Sequence, residues 1–367
     1  MEIKTITNEE YKAETDRQIG PILKTGGKAR TTAIIVGFAL TDSAPLATKL
    51  DDFEVTFRDP SKEEMHDLES GVGDIVNVML DEHPCSIIEL VTQVEANKHP
   101  NESKIFQQVS DLVKTIRLFA LSGAVCLCST LKYGGLESSD TNALVVDPSY
   151  DYELNRRDHQ RFLNFLHYVY PIISSGGLNG TGELAYALYL DATLSNSMGP
   201  VDSAYTNREK ILMYNIIGLE YIYLKEGEAA DKKNLSKRIA KFYNLVKAQG
   251  IDVSSSVNLA YDIRSNFVHG RRLINGKDIQ KIKSVFKDKI KTKDPSDFFM
   301  ERMLNYLRES IISNLGVVLQ AKAEGLDPRK MQDRFLDALD AISIDAGDSD
   351  ANDTINKCLV NVRTLLV

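Results

Sequence analysis

The spacing of apolar residues changes near residue 150, and that change restricts the chain to two differently built parts. Upstream, short apolar runs alternate with turn residues: "TTAIIVGFAL" at Thr31–Leu40, "FEVTFRDP" at Phe53–Pro60, "CSIIELVTQVEA" at Cys85–Ala96 and "AVCLCSTL" at Ala124–Leu131. Their β-branched and aromatic residues favour strands, although the third run fits a helix equally well. Between them, Asn101–Leu121 has helical spacing, with Asn101 or Ser103 as its cap. From Leu154 onward the spacing is helical, beginning with "RFLNFLHYVYPII" and broken at Ser174–Gly182 by "SSGGLNGTG". No Gly-Lys-Ser/Thr follows these glycines, so they read as a flexible connection and not as a phosphate cradle.

Further helical stretches follow at Glu183–Ser197, Arg208–Lys225, Leu235–Gln249, Asp278–Lys289 and Phe298–Gln320, with a last one from Met331. On the second of these, Ile211, Tyr214, Ile217, Gly218, Tyr221 and Leu224 share a face. That pattern predicts a central bundle helix with this face inward and Glu220 on its flank. Ser343–Asp353, rich in Asp and Ser, reads as a loop. The expected organisation is an α+β domain over residues 1–150, an all-α bundle over 151–325 and a helical tail over 326–367.

Hydrophobic residues at 43% and charged residues at 26% of 367 are ordinary for a soluble globular protein. A net charge of −8 argues against a protein that coats nucleic acid, because that binding rests on neutralising many phosphates. Charge is uneven, however: from Arg271 to Lys293, Lys and Arg outnumber Asp nine to two. The four cysteines are too few and too irregularly spaced for a disulfide framework. Cys126 and Cys128 would share one face of a strand, but no second pair completes a zinc site, so neither metal nor cofactor is expected. The first residues lack a signal-peptide pattern, and runs such as Ala33–Leu40 and Leu118–Cys128 are too short to span a membrane. A cytoplasmic location without membrane contact is the expectation.

The segment "YDIRSNFVHG" at Tyr261–Gly270 carries the chemistry. Arginine holds phosphate in a fixed fork of donors, and histidine both gives and takes a proton near neutral pH. Leu259, Ile263 and Phe267 form the inward stripe; measured from Ile263, Arg264 lies at about +100° and His269 at about −120°. Both therefore point away from the core. They are about 140° apart and about 7.5 Å apart along the axis, an awkward presentation to one phosphate that a two-fold partner would correct. The same residues also fit plain helix termination, since His is favoured in last turns and Gly just beyond them.

"AYDIRSNFVHGR", with "NREKILMYNIIGLEYIYLKE" at Asn207–Glu226 and "LSKRIAKFYNLV" between them, resembles the HEPN superfamily, most closely its Apea-like branch. The likeness covers about Arg157–Gly325, and "LVKTIRLFALSGAVCLCS" at Leu112–Ser129 looks like the region preceding the bundle in that branch. The resemblance implies an all-α HEPN-like bundle and a metal-independent endoribonuclease. It would act as a homodimer in which the Arg and His of both protomers line one cleft. Arg264 matches the motif arginine and His269 the motif histidine. Many active members carry Asn, Asp or His directly after the arginine, whereas this chain has Ser265 followed by Asn266. Antiviral defence or a toxin system, with a regulatory partner or trigger protein, is the setting the resemblance implies.

In this reading His269 transfers protons, Arg264 binds the scissile phosphate, and Ser265, Asn266 and Glu220 support them. Arg271, Arg272, Lys277 and the lysines through Lys293 draw RNA to the cleft, or form a solvated helix face. Tyr261 stacks a base or packs the dimer seam. The alternative function is a noncatalytic module that binds RNA or a nucleotide, or simply dimerises.

Overall fold

The computed structural model describes residues 24–42, 44–71, 80–141, 147–148, 150–178, 182–195, 203–247, 250–269, 276–287, 294–342, 349–360 and 362–366, together with Arg17, Ile274 and Ile290. The chain forms two compact units, divided between Ser174 and Ser175.

In the first unit, strands β1 (Gly27–Val36), β3 (Leu46–Leu50), β4 (Phe53–Arg58), β5 (Cys85–Val94), β6 (Val125–Tyr133) and β7 (Leu136–Thr141) form one antiparallel sheet in the order β3-β4-β5-β1-β6-β7. The ambiguous run at Cys85–Ala96 is therefore a strand. It pairs β1 with Ile87 opposite Ile34 and β4 with Ile88 opposite Phe57. A bulge shifts the β1–β6 register between Ile34, opposite Cys128, and Ile35, opposite Cys126. A short strand, β2 (Phe38–Leu40), leaves this sheet and runs parallel to Tyr152–Leu154.

Helix α1 (Lys62–Gly71) contributes Met65 to a cluster with Ile34, Val36, Ile87 and Leu127. Helix α2 (Glu102–Phe119) begins at Asn101, whose side chain accepts a hydrogen bond from the Lys104 amide, as its cap position predicts. Helix α3 (His159–Ser174) belongs to this unit. Its Phe162 ring lies 5.7 Å from Phe38, 5.2 Å from Phe57 and 5.1 Å from Phe119. The expected boundary at Tyr150 is thus too early: the helical period begins there, yet the first helix with that period closes the sheet's aromatic core.

The second unit is helical: α4 (Glu183–Ala192), α5 (Ser203–Tyr223), α6 (Lys232–Lys247), α7 (Gly250–Val268), α8 (Gly276–Phe286), α9 (Pro295–Glu324), α10 (Pro328–Ala341), α11 (Ser349–Leu359) and α12 (Arg363–Leu366). The long α9 is the axis, with Met303, Leu307, Ile311 and Leu315 fully buried. Against it lie α5, α10 and α11, while α6 and α7 pack on each other. Two glycines permit the close crossings. A Cβ on Gly218 of α5 would stand 2.7 Å from Leu307 Cδ1, and one on Gly316 of α9 would stand 2.1 Å from the Cys358 carbonyl oxygen.

Three expectations change here. The inward face of α5 centres on Leu212, Ile216, Leu219 and Tyr223; of the predicted face Ile211 and Gly218 are buried, but Tyr214, Ile217 and Leu224 are half-buried and Tyr221 is exposed. Ser343–Asp353 is not a loop throughout, because α11 starts at Ser349. The helical tail expected over 326–367 is packed into the bundle, since Gln332 of α10 donates to the Tyr221 and Ile222 carbonyls, and Asp340 accepts from Arg238 at 2.7 Å. The Gln332 bonds satisfy carbonyls at the end of α5 that the helix itself leaves open.

Candidate functional site

Helix α7 turns Val253, Val257, Ala260 and Ile263 into the bundle, which leaves the opposite side to solvent. Arg264 sits on the flank, its side chain 24% exposed. His269 follows the last helical residue and is exposed; its amide donates to the Ser265 carbonyl at 3.1 Å, so the turn carrying the imidazole is still held by a helical hydrogen bond. His269 points away from the core, as the angles on the wheel require, whereas Arg264 lies along the flank with its Nε buried. Gly270, Arg271 and Arg272 lie outside the described residues. Lys277 is exposed at the start of α8.

Glu220 of α5 reaches Arg264. Its Oε2 lies 3.9 Å from Arg264 Nη2, and its side chain is 14% exposed. Among the described residues neither Glu220 Oε1 nor Arg264 Nε has a hydrogen-bond partner. Burial pushes the Glu220 carboxyl above the usual carboxylate range, and the Arg264 charge only partly opposes that. On its other side Glu220 borders a cavity of about 230 Å³ lined also by Ile217, Tyr221, Leu224, Arg329 and Gln332.

Tyr261 is half-buried and occupied within its own chain. The Arg264 guanidinium stands 5.7 Å from its ring, and its hydroxyl donates to the Ala230 carbonyl at 3.4 Å. The ring thus steers Arg264 by a cation–π contact. Asp262, one residue on, binds Lys232 of α6 at 2.7 Å. Ser265 and Asn266 are half-buried. The structure therefore joins Glu220, Arg264 and Tyr261 in one contact group, with His269 a turn further along the helix.

One feature escaped the sequence reading. Lys232, Lys233, Lys237 and Lys241 of α6, with Ser254 and Asn258 of α7, line an open groove of about 610 Å³. The four-residue spacing of Lys233, Lys237 and Lys241 was its signal. Comparison with family models, curated proteins and solved structures finds no match to this chain.

Proposed function

We propose that the helical unit is a HEPN-type endoribonuclease that cleaves RNA without a metal, from a site shared by two copies of the chain. The observation that carries this reading is the exposed His269 one turn from an Arg264 that Glu220 and Tyr261 hold on the same helix. One imidazole takes the proton from the 2′-hydroxyl as that oxygen attacks the adjacent phosphorus. The imidazolium of the second copy gives a proton to the departing 5′-oxygen as the P–O bond breaks. Proton transfer of this kind contributes about 10²–10⁴-fold. Arg264 from each copy stabilises the charge that grows on the phosphoryl oxygens. The products are a 2′,3′-cyclic phosphate and a 5′-hydroxyl.

Two large apolar side chains near the site are exposed, Tyr221 at 46% and Val268 at 55%. They supply the kind of surface a second copy would cover. A noncatalytic RNA-binding or dimerising module is the second reading, and the Glu220 contact favours it, because that carboxylate competes with phosphate for Arg264. Purified protein is incubated with total RNA in the presence of chelator, and the new ends are mapped. Cyclic phosphates that disappear in His269→Ala and Arg264→Ala, with dimerisation kept, support the enzyme. Cleavage of a 2′-deoxy substrate, or none by the parent protein, defeats it.

A further inference from the structure

The groove between α6 and α7 is far larger than the cavity beside Glu220 and differs from it in chemistry. Lysines dominate one wall. Its two ends are fixed: Lys232 is paired with Asp262 at 2.7 Å, and Lys241 Nζ donates to the Leu339 carbonyl at 2.7 Å and the Asp340 carbonyl at 3.0 Å. Between them, Lys233 and Lys237 are exposed, and neither ammonium has a carboxylate at ion-pair distance among the described residues. Burial and the neighbouring Lys237 charge both push the Lys241 ammonium below its ordinary value. Among the described residues Lys233 and Lys237 are thus two adjacent cations with no paired carboxylate, and their local positive potential favours an anion along the groove.

We infer that this groove is a second RNA-binding site, which holds the phosphate backbone of a single strand along α6 and α7. Lys233 and Lys237 are one turn apart, about 6 Å along the axis, so their flexible stems reach neighbouring phosphates of one strand. Ser254 and Asn258 on the facing wall add uncharged donors suited to phosphate and sugar oxygens. Among the described residues no aromatic side chain lines the groove, so none of them stacks on bases, and the contact ignores sequence. An acidic protein segment fits less well. Protein interfaces are depleted in Lys and need a buried aromatic or aliphatic anchor, which this wall lacks.

The inference rests on the ribonuclease reading for its choice of RNA, and its test is independent of cleavage. A labelled 2′-O-methyl RNA 20-mer, which lacks the attacking hydroxyl, is titrated against the full chain while salt is varied. Lys233→Gln/Lys237→Gln is expected to weaken binding roughly 20-fold at 0.1 M salt and to flatten the log–log salt slope by about 1.4, at about 0.7 per phosphate contact. Lys28→Gln/Lys49→Gln, an equal charge change at exposed positions of β1 and β3, is expected to leave both unchanged. Three results would overturn the proposal: no binding by the parent protein, equal loss in the Lys28→Gln/Lys49→Gln variant, or displacement of the RNA by polyglutamate at equal charge. Loss of cleavage in His269→Ala with this binding intact separates the two readings.

Discussion

Glu220 on α5 and Arg264 on α7 stand 3.9 Å apart, within electrostatic reach but beyond a hydrogen bond. Among the described residues each leaves one polar atom without a partner. The attraction is too weak to offset the burial of the carboxylate, which is why its proton is held more tightly than usual.

Glu220→Gln should therefore stabilise the protein at pH 7, because it removes the cost of keeping the buried carboxyl charged. A carboxyl with a raised folded-state value favours the fold below its unfolded value, near 4.5, and that contribution fades as pH rises through the folded value. Urea unfolding of parent and variant should show a gap at pH 7 that closes by about pH 4. A variant less stable at pH 7 would mean that the ion pair outweighs burial.

At the sheet the sign is opposite. Arg58 donates to Glu64 at 2.5 Å and to Glu89 at 2.7 Å, and the guanidinium holds the Glu64 carboxyl down at about 2. Stability from this pair is present above pH 4.5 and drains away as pH falls toward about 2. Because the pair is partly exposed, screening reduces its worth to about 1 kcal/mol. Thermal melts of Glu64→Gln should be lower than the parent at pH 7 and converge with it at acid pH.

Gly316→Ala should be among the most damaging single changes. Its Cβ would meet a backbone oxygen at 2.1 Å, and a carbonyl in α11 cannot rotate aside as a side-chain tip can. Parting α9 from α11 would cost about 3 kcal/mol or more. Denaturant midpoints give the measurement, and a loss under about 1 kcal/mol would contradict the crossing described.

Native thiols should be sluggish. Burial pushes Cys126 and Cys358 up to about 12, and Cys85 and Cys128 are raised as well. Since the thiolate is the reactive form, alkylation at pH 8 should be slow for all four until the chain is denatured. A fast native phase at any one of them would place it in a more exposed setting.

The strands were readable because β-branched residues alternate with turns, and the α2 cap because Asn101 stands before a periodic run. The inward side of α5 was not readable. From Ile211 to Leu224 apolar residues occur on every side, so the period alone cannot choose a face. His269 was placed correctly as outward because Ile263 fixes the rotation of α7, but Arg264 lies on the flank, mostly buried. The approach of Glu220 to Arg264 depends on how two helices cross, and the lysine groove depends on α7 forming its second wall; spacing within one helix contains neither.

The rings of Phe38, Phe57, Phe119 and Phe162 form one aromatic knot, to which α3 contributes the last member. Dissecting the chain at Tyr150 would strip away that ring and leave the other three facing water, producing a sticky fragment whose aggregation would mimic self-recognition. Cutting after Ser174 keeps the knot tied, and only fragments divided there report on what either half does alone.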